Sequence, residues 1–188
     1  MKRFFFTRVS FLAFVCVFAT LTPAWGGSQG TAHPVSTRGP KAALHALAED
    51  GGMVISDTDR CPVCGMLPTK QPKFAAAMML SDGRTFYFCG NGCLLRTFKH
   101  ADTYLKKPAD QIERMVVKNY FNGTPMDAAA AWWVAGSDVV GPMGPALVAL
   151  ADEAEVVQFK SRHGGKIVFR LSEVDDALWV RLFPQNKK

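Results

Sequence analysis

No run of apolar residues in this sequence is long enough to make a membrane-crossing helix plausible. The run nearest the N-terminus, Val9–Leu21, has 13 residues, against the about 20 that a span requires. Lys2, Arg3 and Arg8 precede it, and the small residues Ala24 and Gly26 follow, which is the pattern of a secretory signal peptide cleaved near Gly26. An uncleaved anchor is the alternative. Cys16 lies within the run and lacks the small-residue surroundings of a lipid-modified cysteine, so it is expected to leave with the signal. Clusters of basic and aromatic side chains are also missing, which excludes a nucleic-acid surface. No acid–base pair accompanies the thiols, which argues against hydrolytic or lyase chemistry.

What is present is an ordinary globular composition, 48% hydrophobic and 20% charged. The formal charge of +6 is partly a property of the leader, because residues 1–26 contain three basic side chains and no acids, leaving 19 basic against 16 acidic. Four cysteines follow the leader: Cys61, Cys64, Cys89 and Cys93. Export, with a bacterial periplasm as the expected address, would carry them into an oxidising compartment, where thiols become disulfides unless a metal or a reductant holds them.

Residues 27–39 are rich in Gly, Ser, Thr and Pro, a flexible tether, and Lys41–Gly52 has the pattern of a short helix ended by a glycine pair, so the tether is taken as 27–52. Beyond it the pattern β–β–α–β is written twice. In residues 53–118, "KFAAAMML" and "RTFYFC" flank the turn "SDG", then "NGCLLRTFKHADTYL" has helical spacing up to Pro108, and "IERMVVKNY" closes as a strand. In residues 119–176, "AAAAWWVAG" and "ALVALA" are joined by the connection "SDVVGPMGP". "DEAEVVQFKSRH" is a helix capped by Asp152, and "GKIVFRLSEV" is the last strand. Residues 177–188 are left as a C-terminal tail. The fold class is therefore α+β, two small units in tandem, each too small to be very stable alone.

Cys61 and Cys64 form a C-x-x-C with Gly65 permitting the turn, while Cys89 ends a strand and Cys93 begins a helix. Two such knuckles suit a four-thiolate zinc site or, equally, a pair of disulfide staples. A thioredoxin-like dithiol fits less well, because Pro68 and Pro72 interrupt the helix that such a motif should open. Met66 adds a thioether two residues from Cys64, a soft donor suited to Cu(I) rather than to zinc. Met143 stands on a Gly/Pro-rich loop of the second unit, placed to reach the Cys64–Met66 pair if the units face each other. Ordinary core filling is the alternative for any single methionine. The four histidines are more readily solvated or capping residues than ligands. Trp132 and Trp133 alternate across a strand, one for the core and one for a cleft wall.

The stretches "CPVCGM", "FAAAMMLSDGRTFYF" and "AAWWVAGSDVVGPMGPALVALADEAEVVQFKSRHGGKI", spanning roughly residues 58–170, resemble the NosL family of exported copper-binding accessory proteins of nitrous oxide reductase assembly. The resemblance implies two similar ββαβ units related to the organomercurial lyase fold, binding of one Cu(I), and delivery to apo nitrous oxide reductase or its copper-assembly machinery. Position by position, Cys64 and Met66 match the CGM element and Met143 the GPMG element. The chain differs from many relatives in having Pro145 where they carry a histidine, in the extra pair within "FCGNGC", and in lacking a lipid-attachment cysteine. The candidate metal ligands are thus Cys61, Cys64, Met66, Cys89, Cys93 and Met143, for Cu(I) or alternatively Zn(II). The function expected is that of a metallochaperone without catalytic residues. A zinc-bound or disulfide-stapled interaction module is the alternative.

Overall fold

The first hairpin sets the frame. β1 (Ala76–Leu80) and β2 (Thr85–Phe88) pair antiparallel with Ala77 opposite Tyr87. Gly83 turns the chain between them with φ of 81°, a left-handed value that glycine adopts without strain. Residues 39–184 are described by this computed structural model; the proposed signal peptide and the start of the tether lie outside the described residues. After the hairpin come α1 (Asn91–Lys99), the short α2 (Ala101–Leu105), β3 (Ile112–Lys118) and β4 (Pro125–Asp127). The helical stretch expected as one piece is broken at His100, whose φ of −136° is not helical.

The second half contributes β5 (Trp132–Ser137), the two-residue strands β6 (Val140–Gly141) and β7 (Gly144–Pro145), and β8 (Val148–Leu150). It continues with α3 (Glu153–His163), β9 (Gly164–Arg170) and α4 (Asp176–Leu182). The sheets run β2-β1-β3-β4 and β8-β5-β9, and β6 pairs with β7 as a separate ribbon. The Gly/Pro connection between β5 and β8 is thus a small ribbon rather than plain loop, because the amide of Ala146 bonds to the carbonyl of Val139 and closes it. Asp152 caps α3 by accepting from the amide of Glu155 at 2.8 Å. Gly164 ends the helix with φ of 67°.

Both faces of β1 are apolar because both are covered. Ala76, Met78 and Leu80 enter the main core with Phe88, Leu94 and Leu95, and the same core takes Trp133, Ala149 and Phe169 from the second sheet. Ala77, on the opposite face, packs with Leu47, Tyr87 and Val116. Leu47 belongs to the stretch expected to form a helix over Lys41–Gly52, and no helix forms there. Its amides are taken by distant partners instead: Ala43 donates to the carbonyl of Thr85, Leu44 to Asp59 and Leu47 to the Thr85 hydroxyl. The segment therefore lies extended across the sheet, and its glycine pair serves a turn in which Gly51 donates to Ala48.

One further expectation is revised by tertiary contacts. Residues 177–188, read as a tail, contain most of α4, which Asp175 caps through the amide of Leu178 and which packs Leu178, Trp179 and Leu182 against the main core. Trp133 is the buried member of its pair, donating to the carbonyl of Ala128 at 3.0 Å, whereas Trp132 is half-buried with Arg170 over its ring.

The two halves are locked by Asn91, whose side-chain amide donates to the carbonyl of Leu147 at 2.9 Å in the interior. Asn91→Ala leaves that carbonyl without a partner, so the variant should lose about 1–3 kcal/mol of stability. Urea unfolding of the two proteins checks this, and equal midpoints would contradict it.

Candidate metal centre

The first knuckle is shaped by its own backbone. Asp59, buried two residues before Cys61, accepts from the amides of Leu44 and Ser56 and fixes the approach of the chain. Cys61 then accepts from the amide of Gly65 and donates its own amide to the carbonyl of Met66. Gly65 sits at φ of 74°, so a left-handed residue reverses the chain and turns both thiols to one side. This is a closed turn and not a helix N-terminus, which removes the thioredoxin-like reading. The second knuckle joins the end of β2 to α1, with Cys93 donating its amide to the carbonyl of Gly90.

The four sulfurs converge. All lie within 4.8 Å of one another, with Cys64–Cys89 at 3.4 Å, Cys89–Cys93 at 3.7 Å and Cys64–Cys93 at 4.0 Å. A tetrahedral ion with metal–sulfur bonds of about 2.3 Å needs sulfur–sulfur edges of about 3.8 Å, so the cage has the size of such a site. Cys61, Cys89 and Cys93 are buried and Cys64 is half-buried, and all four are free thiols. Among the described residues this is the one group of His, Cys, Asp and Glu side chains close enough to share an ion. It contains no carboxylate. Asp138, the acid that a lyase reading would need, is bonded to Nδ1 of His163 at 2.9 Å.

Burial makes four thiolates too costly without a cation, so the charge in the cage is shared. The neighbouring Cys89 and Cys93 thiols hold Cys61 far below the usual thiol range. Their own values are pushed up, because each lies against the Cys61 sulfur and is buried with it. A soft cation entering the cage therefore has to displace the protons that burial and the Cys61 sulfur favour on Cys89 and Cys93.

The methionines stand outside this cage. Met66, next to the first knuckle, is 39% exposed, and Met143, at the tip of the β6–β7 ribbon, is 50% exposed. Met143 shares a groove with Cys93, and its neighbour Pro142 packs on the second knuckle: a side chain at Gly90 would meet the Pro142 ring at 3.5 Å. Met66 does not line that groove. The sequence centres the site on Cys64, Met66 and Met143, whereas the geometry groups the four cysteines and sets Met143 in a groove that Cys93 also lines. The half-buried Arg96, one turn after Cys93 on α1, also lines the groove and was not anticipated. Its signal was the i, i+3 spacing from Cys93.

A sulfur-only cage on an α+β frame, with no acid or imidazole among its donors, has the donor chemistry of a site for a soft or borderline metal ion. The comparisons place it more narrowly. The NosL family model matches residues 52–179, and the chain belongs to the NosL family. The copper-binding lipoprotein NosL of Stutzerimonas stutzeri is 30% identical over 125 residues, a match that takes in 65% of this chain and 65% of that relative's length. The crystal structure of the copper chaperone NosL from Shewanella denitrificans superposes with a TM-score of 0.56 at 23% identity, covering 69% of this chain and 99% of that one. These relatives bear the names of copper-binding proteins, not of enzymes.

Loading the cage must expel the protons on Cys89 and Cys93, so apparent metal affinity should rise with pH, about tenfold per pH unit for each proton released. Chelator-buffered titrations from about pH 6 to about pH 8 measure the slope. A flat profile would mean that the thiols are already ionised.

Proposed function

We propose that this chain is an exported Cu(I) metallochaperone whose cargo is held by Cys61, Cys64, Cys89 and Cys93, with Met66 and Met143 as outer thioether donors. The observation that carries this reading is the convergence of four free thiols within 4.8 Å of one another, only Cys64 being half-buried. Soft sulfur donors select Cu(I), an ion content with two or three of them. A cage of four therefore always offers spare sulfurs. Cargo leaves by stepwise exchange, one metal–sulfur bond to the chaperone breaking as one to the acceptor forms, with no change in the oxidation state of copper. Cys64 is the least buried of the four thiols.

The recipient in this reading is apo nitrous oxide reductase or its copper-assembly machinery, and the compartment is the periplasm, reached by the leader. The lipoprotein named among the relatives favours export. No helix among the described residues is long and apolar enough to cross a membrane. The edge lengths of the cage favour one second reading, a four-coordinate Zn(II) site, in which the ion is structural and the module binds a partner.

Anaerobic titration with Cu(I) and with Zn(II), followed by native mass spectrometry, separates the two. Three thiols remain in Cys64→Ser or in Cys89→Ser, so each alone should lower Cu(I) affinity less than the double variant does, which should lose more than the roughly 10–100-fold that an outer-shell change costs. Met66→Leu and Met143→Leu should affect affinity less than either and should slow release to a competing thiol or thioether. Tight zinc binding with no Cu(I) uptake would refute the chaperone reading.

A further inference from the structure

We propose that the groove beside the cage seats an acidic, thioether-bearing polypeptide segment of the protein that receives the cargo. This deepens the copper reading and rests on it for the identity of the ion. The groove has a volume of about 680 Å³ and lies between the first turn of α1, the β6–β7 ribbon and α4. Cys93 is in its lining, Met143 stands in its wall, and Trp179 and Phe183 supply aromatic surface.

Its charge is of one sign: among the described residues that line it, Arg96 is cationic and none carries a carboxylate. The Arg96 guanidinium lies 4.2 Å over the Phe183 ring, and among the described residues it has no carboxylate partner. Lys99, on the same helix, is by contrast neutralised by Asp176 at 2.7 Å. α1 begins at Gly90 without a side-chain cap, so the partial positive charge of its first turn adds to that of Arg96. A carboxylate entering here finds a planar, preoriented donor already stacked and half-buried.

The aromatic surface selects a polypeptide side chain over a free anion: it suits a thioether, since sulfur packs well against ring edges. A thioether there stands next to the Cys93 side of the cage. As its sulfur bonds to Cu(I), the bond from Cys93 breaks, the freed thiolate takes a proton from solvent, and no electron is transferred.

The probes are two labelled synthetic peptides, Asp-Glu-Met-Gly-Met-Glu-Asp and the same sequence with lysine at every acidic position. Binding is read by fluorescence anisotropy on the reduced metal-free chain and on the Cu(I)-loaded chain. The acidic peptide should bind about tenfold or more tightly than its basic twin. Arg96→Glu should reverse the preference, and Arg96→Gln should remove it without reversing it. Cu(I) transfer to the acidic peptide should slow in both variants. Equal binding of the two peptides, or an unchanged preference in both Arg96 variants, overturns the proposal. So does a dimer in sedimentation that Phe183→Ala dissolves, since the occupant is then a second copy of the chain. Failure of Cu(I) loading refutes the preceding reading, while the anisotropy measurement on metal-free protein still decides this one.

Discussion

Bringing four sulfurs within 4.8 Å of one another in a mostly buried place sets the terms for the surrounding structure. Thiolates repel one another, so each further ionisation in the cage is harder than the last without a cation. Each knuckle has to be held in place by something other than the sulfurs. The first is tied through Asp59 and the Cys61–Gly65 and Met66–Cys61 backbone bonds. The second is tied through its position between a central hairpin and α1, with Asn91 bound across to Leu147. The cysteines all come from the first half of the chain. The second half contributes the ribbon and part of the core that keep the knuckle still.

The cysteine spacing, the hairpin at Ser81–Gly83 and the capped helix α3 could be read from the sequence because each is specified locally: by a turn glycine, a period-two apolar pattern or an N-cap aspartate. Lys41–Gly52 was misread because its helical pattern competes with partners 15 and 38 residues away, Asp59 and Thr85. Local propensity carries no information about such bonds. α4 was missed because the segment is short, and its burial depends on surfaces of α1 and the main core that exist only after folding.

Legibility of the site was uneven for the same reason. That Cys61, Cys64, Cys89 and Cys93 belong together follows from two turns with metal-ligand spacing. That the sulfurs rather than the methionines form the centre does not, since it depends on how β2 delivers Cys89 beside the first knuckle. Met143 was recognised from the turn residues around it, and the structure sets it in a groove with Cys93. Arg96 has only its i, i+3 spacing from Cys93 to mark it; its significance comes from a groove that α1, the ribbon and α4 form only after folding.

The Pro142 ring at the tip of the ribbon faces bare backbone at Gly90, on the turn between Cys89 and Cys93. A methyl group at that point would meet the ring at 3.5 Å, an ordinary contact distance, so the space between knuckle and ribbon is that of one missing methyl. The turn that carries two of the sulfurs and the ribbon that bears Met143 thus keep a little slack between them, like a hinge with play in its pin.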